Sequence, residues 1–279
     1  MRETSNPILR SLPKQQGGYA QFGTGYAGAA NQVGFQAEPY ITQAGVSRPL
    51  TIDDVVTKTG MTLGVLTVVA VVSYFLVGTN PSLAMPLTLV GSLGGLAMVL
   101  IASFGRKQDN PAIVLTYAAL EGLFVGAISW VFGNAVVEGI SAGALITQAV
   151  LGTIGVFFGM LVVYKTGAIR VTPKFTRMMV ASMVGVLVLM LGSFVIGMFT
   201  HNPGGPLRDG GTMSIIFSLV VIGIAAFSFL IDFDAADQMI RAGAPEKAAW
   251  GIALGLTVTL VWLYVEILRL LSYFYSSNR

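Results

Sequence analysis

Residues 213–231 read MSIIFSLVVIGIAAFSFLI, a run without a single charged side chain. At about 1.5 Å per residue it rises nearly 30 Å as a helix, the thickness of a bilayer's hydrocarbon core. The run is apolar continuously rather than at every second position, which selects a helix over a strand. In lipid, a helix also satisfies its own backbone hydrogen bonds. Six further runs have the same character, at about 60–77, 83–104, 112–132, 142–163, 178–199 and 249–274. The expected fold is therefore an all-α membrane protein with seven transmembrane helices.

Composition agrees. Of the 279 residues, 54% are hydrophobic and only 10% charged, with mean hydropathy +0.76, where a soluble domain carries about 25% charged residues. Such a chain has too little polar surface to cover itself in water, and the lipid bilayer becomes its solvent. The absence of cysteine removes disulfides and thiolate chemistry, and the single His201 removes any multi-histidine metal cluster. No Gly-x-Ser-x-Gly elbow or zinc motif is present, so no enzyme is expected. The net charge of +3 arises without a basic stripe, so nucleic acid is not an expected partner.

Residues 1–50 differ from the rest. The stretch from Gln15 to Gly45 is rich in Gly, Gln, Ala and Tyr, a composition that cannot bury a core and predicts a disordered tail. Residues 51–279 form the membrane domain. Thr51-Ile-Asp-Asp54 offers a helix cap, and Gly78-Thr-Asn-Pro81 breaks the first span. Pro111 can open the third helix, and the polar turn around His201 and Arg208 separates the fifth from the sixth. With the N-terminus cytoplasmic and the C-terminus extracytoplasmic, 13 of the 16 Lys and Arg residues fall on the cytoplasmic side, as the positive-inside rule requires. Glycine groups such as Gly91, Gly94 and Gly95, or Gly152, Gly155 and Gly159, predict close helix contacts.

A charged side chain near the bilayer centre costs about 2.5–3.5 kcal/mol, which makes intramembrane acids functional candidates. Glu121 lies near the middle of the third span. The sixth ends in Leu230-Ile-Asp-Phe-Asp-Ala-Ala-Asp-Gln238, where Asp234 and Asp237 share a helical face and Asp232 points roughly opposite to Asp234. Solvated carboxylates at a helix end are the alternative reading. Glu266 lies deep in the seventh span with Arg269 on the same face, so an internal ion pair is the alternative there. Two carboxylates sharing a low-dielectric site cannot both ionise cheaply, which makes such a pair proton-responsive, and oxygen ligands suit Ca²⁺.

Three stretches, Leu115-Thr-Tyr-Ala-Ala-Leu-Glu-Gly-Leu-Phe-Val-Gly126, Ile231-Asp-Phe-Asp234 and Leu263-Tyr-Val-Glu-Ile-Leu-Arg269, resemble the Bax inhibitor-1 family in its bacterial branch. The resemblance covers roughly residues 50–275. It implies a bundle with the seventh helix at its centre and a pH-sensitive calcium leak across the bacterial plasma membrane. It also implies an acid pair, Asp232 or Asp234 with Glu266, that senses pH and contacts calcium transiently, with Glu121 along the path. Lys58 and Arg269 are the candidates for a basic latch. The family usually has Asp where this chain has Glu266. Calcium and protons are then the small partners, and no cofactor is implied. A non-conducting regulator that binds a membrane protease or another membrane protein is the alternative function. The hairpin geometry puts Asp234 and Glu266 roughly 9 Å apart in depth, so their pairing needs helix tilt or an irregular turn.

Overall fold

Several helix boundaries in this chain, those before α1, α3 and α4 among them, are set by polar caps. The computed structural model describes residues 48–136, 141–200, 205 and 207–277. The tail expected over residues 1–47 and the lone His201 lie outside them. Among the described residues seven α-helices follow in order: α1 Ile52–Thr79, α2 Ala84–Phe104, α3 Pro111–Trp130, α4 Ala142–Thr166, α5 Pro173–Thr200, α6 Thr212–Arg241 and α7 Ala248–Ser277. All seven are long and apolar enough to cross a membrane, and the protein is a multi-pass, nearly all-helical membrane protein.

The caps follow the sequence signals. Asn110 accepts a hydrogen bond from the Ala112 amide ahead of α3, with Pro111 in the first turn. Gly167, with φ of 67°, closes α4 in the left-handed conformation that glycine adopts without strain. Several helices are longer than the apolar runs predict, α1 and α6 most of all. The first starts at Ile52 rather than about 60, because Thr51 and Asp54 form a reciprocal capping box, with the Asp54 amide donating to Thr51 Oγ1 at 3.3 Å and the Thr51 amide to Asp54 Oδ2 at 3.0 Å. The sixth continues ten residues past Ile231 to Arg241, carrying its acids on a continuous helix.

Residues 48–50, assigned to the tail on composition, run as a strap against the α6–α7 turn. The Leu50 amide donates to the Ala244 carbonyl at 2.8 Å, and the Glu246 amide donates to the Arg48 carbonyl at 3.0 Å. Leu50 is buried there beside Val55 and Ile252. Arg48 bridges Asp54 at 2.5 Å, while Glu246 takes Lys58 at 3.0 Å. Polar groups thus tie the start of α1 to the hairpin between the last two helices.

Apolar side chains gain little by leaving lipid for one another, so close backbone approach decides helix pairing in a membrane. Gly91 of α2 lies so near α3 that a Cβ would sit 2.7 Å from the Leu120 carbonyl oxygen. Gly122 and Gly126 of α3 press likewise on the Leu66 and Ala70 carbonyls of α1, and Ser73 of α1 donates to the Leu123 carbonyl at 2.8 Å. Around Gly155 and Gly159 of α4, by contrast, the space is open. Those two do not serve the packing expected of them. Helix α7 is the most buried span: 67% of its most apolar stretch is covered, against 11–44% for the other six. It packs on α1, α3, α4 and α6.

Gly126→Ala is therefore expected to destabilise the protein by about 1–3 kcal/mol through overpacking. Gly155→Ala should change stability by less than about 0.5 kcal/mol. Equilibrium unfolding in mixed micelles measures both.

Candidate functional site

The acids at the end of α6 diverge, as helical spacing demands. Asp232 turns toward α7, where Thr259 Oγ1 donates to its Oδ2 at 2.7 Å. It lines a cleft of about 370 Å³ together with Ser103 at the end of α2 and Arg106, Gln108 and Asp109 from the α2–α3 connection. Gln108 rests on Gly251 of α7, where a Cβ would come within 3.3 Å of it. Asp234 faces α4 instead: the Tyr164 hydroxyl reaches it at 3.4 Å and Asp237 at 3.3 Å. Gln238 also donates to Asp234, at 2.6 Å, and Arg241 bridges Asp237 at 2.7 Å.

Glu266 occupies a different level of the bundle, 1% exposed. Ser218 of α6 donates to its Oε1 at 2.8 Å, and Arg269, one turn on, donates to its Oε2 at 2.6 Å. A second cation, Arg208 from the α5–α6 connection, lies 3.9 Å from the same oxygen. The connection is shaped to deliver it. Gly205, with φ of 63°, packs directly on the Ser193 carbonyl, and the Leu207 amide donates to Ser193 Oγ at 3.3 Å. Asp209 accepts from Ser214 Oγ at 2.7 Å and from the Gly211 amide at 2.9 Å, anchoring the other side.

Burial and repulsion from Arg269 pull the Arg208 guanidinium below its ordinary value, against the pull of Glu266. Two guanidiniums thus face one carboxylate, which leaves the cluster one positive charge in excess. Asp209 is held below the usual carboxylate range by its bonds to Ser214 and Gly211. A depressed carboxylate stabilises the fold above its unfolded value and loses that contribution as pH falls through its folded value. The anchor is therefore intact across the neutral range.

The expected carboxylate pair is not formed in this structure. The partner of Asp232, Thr259, lies seven residues before Glu266 on α7, about 10 Å of helical rise, and Asp234 faces α4. Among the described residues no group of three or more His, Asp or Glu could hold a metal ion, so Asp232, Asp234 and Glu266 do not share a coordination sphere. Of the two latch candidates, Lys58 engages Glu246 and lies 5.6 Å from the Trp250 ring, while Arg269 engages Glu266.

Glu121 sits at the α2–α3 contact, its carboxylate against the bare backbone of Gly95. Among the described residues it has no ion-pair or side-chain hydrogen-bond partner. Sequence reasoning missed Ser218, Thr259, Tyr164 and Arg208. The first three carry no signal, because a hydroxyl in a membrane helix usually serves its own backbone. Arg208 did carry one, as an arginine placed among four glycines, Gly204, Gly205, Gly210 and Gly211.

The sequence model of the family described as Bax inhibitor 1 like matches residues 6–276. The chain belongs to that family. A relative from Chlamydia muridarum (strain MoPn / Nigg), described as an uncharacterized protein, is 28% identical over 101 residues. That match covers 35% of this chain and 40% of the relative's length. In this Bax inhibitor 1 like protein, then, two separate acid sites lie against α7, the partly exposed Asp232 at one level and the buried Glu266 at another.

Glu266→Gln leaves both guanidiniums without their anion, which is expected to cost about 3–5 kcal/mol. Asp234→Asn, at a half-exposed carboxylate, should cost less than about 1 kcal/mol. Unfolding in micelles separates the two.

Proposed function

We propose that the protein is a pH-sensitive calcium leak of the bacterial plasma membrane, with α7 at the centre of the bundle, the N-terminus cytoplasmic and the C-terminus extracytoplasmic. The observation that carries the reading is the two acid sites at different levels along α7: Asp232 of α6, bonded to Thr259, and Glu266 of α7 itself. Asp232 lines a cleft at the end of the bundle bearing the basic connections, and Glu266 is sealed farther along by Ser218, Arg269 and Arg208. An intramembrane carboxylate retained at such depth marks an ion or proton pathway by default, and oxygen ligands suit Ca²⁺. The burial of α7 against four helices supports its central place.

The acids act in series rather than as a dyad. Calcium enters by the cleft and meets Asp232, whose protonation state sets whether the mouth attracts a cation. Glu121 contributes a further carboxylate along the α2–α3 side of the path. Glu266 is the inner checkpoint. As built, its two arginines repel a divalent cation, so this arrangement corresponds to the closed leak. Opening requires Arg208 to leave.

Calcium flux into liposomes holding the purified protein, at about pH 6 and about pH 8, tests this across the range in which perturbed carboxylates titrate. Asp232→Asn is expected to remove the pH dependence. Arg208→Gln should raise the flux about tenfold, the effect of losing about 1.4 kcal/mol of pairing. Flux no greater than in empty liposomes at either pH would overturn the leak and point to a non-conducting regulator that binds a membrane protease or another membrane protein.

A further inference from the structure

A cavity of about 440 Å³ lies away from both acid sites, walled by α1, α3, α4 and α7. We propose that it binds one acyl chain of a phospholipid, drawn from the leaflet at the end of the bundle where α1 finishes and α4 begins. The site does not depend on the calcium reading.

The chemistry of the walls selects the occupant. A cavity of this size fills with water only where polar partners await it. The buried hydroxyls are already engaged: Ser129 and Tyr264 bond each other at 2.7 Å, Ser129 is also close to the Val125 carbonyl, and Thr153 donates to the Ala149 carbonyl at 2.8 Å. Apart from the exposed Thr67 and from Tyr74 at the outer end, the rest of the lining is aliphatic or aromatic. The interior of such a cavity offers dispersion contact and few polar partners, which suits hydrocarbon.

Its mouth is continuous with the lipid-facing surface. Val71 on α1 and Val150 on α4 line the cavity while remaining 49% and 40% exposed, and the neighbouring Val68, Val72, Leu151 and Phe158 form the apolar outer faces of the same helices. In a multi-pass membrane protein only the bilayer covers those faces, and the cavity opens between them. Inside, Val261 and Tyr264 are buried.

Length and polarity fix the orientation. Along α1 the lining runs from Leu63 to Phe75, about 18 Å of rise, close to the roughly 15 Å of one leaflet's hydrocarbon. Its deep end lies toward mid-helix. Its outer end is marked by Tyr74, whose hydroxyl accepts from Asn134 Nδ2 at 3.3 Å on the exposed rim. An aromatic hydroxyl with an amide at the helix ends belongs at headgroup level, so the chain enters with its ester end at Tyr74 and its methyl end toward Leu63.

The test uses the full-length protein in phospholipid vesicles with two photoreactive probes, a phospholipid carrying a diazirine in its acyl chain and a free fatty acid carrying the same group. The phospholipid probe is expected to label the buried Ser129 and the 260–264 segment of α7, which annular lipid on the outer faces does not reach. Val150→Trp and Val71→Trp, both at exposed positions that accommodate bulk, should each reduce that labelling about tenfold. Val180→Trp, equally lipid-facing on α5, should leave it unchanged. Adducts confined to the outer faces of α1 and α4 would overturn the site. Interior labelling by the fatty acid probe alone would overturn the phospholipid assignment.

Discussion

Hydrocarbon offers no hydrogen bond and no counter-ion, and every notable feature of this protein is a response to that constraint. It forces the apolar runs into helices and the polar groups into local settlement. Glu266 is the extreme case. A carboxylate there is tolerable only because Ser218, Arg269 and Arg208 come to it from three separate elements. Leu207 and Arg208 of the α5–α6 connection are thereby held against the bundle.

The same constraint explains the pairing of the helices. With lipid as apolar as leucine, helices gain by fitting closely, and the glycines of α2 and α3 allow backbone to meet backbone. Along α4, Gly152 meets only the Ile267 side chain, and Gly155 and Gly159 meet nothing. Close fitting on one side and looseness on the other leave a sealed α1–α2–α3 group beside an open flank, and the apolar cavity lies at that flank.

Much of the fold was legible in the sequence because hydrophobic length is a one-dimensional signal. All seven spans could be placed, and Pro111 and Thr51 punctuate them as their chemistry predicts. The helices outrun their apolar runs most at α1 and α6, where polar residues carry the helix on. The site was less legible. Helical spacing separated Asp232 from Asp234 correctly, and the depth argument showed why Asp234 and Glu266 would struggle to meet. The identity of each acid's partner depends on crossing angles and connection paths, which leave no trace in local spacing. Ser218 is the clearest instance, a small hydroxyl in an unbroken apolar run whose importance comes from the helix facing it.

The strap of residues 48–50 adds a consequence in time. Its backbone bonds join Leu50 to Ala244 and Arg48 to Glu246, segments made almost two hundred residues apart. At about 5–20 residues per second, the strap waits some 10–40 s for its partner to leave the ribosome. Until then Arg48 and Lys58 have no Glu246 to hold, and the buried seat of Leu50 does not exist. The strap can therefore close only after the chain has been made through Glu246, so the start of α1 is among the last parts of the fold to be fixed although it is among the first to be synthesised.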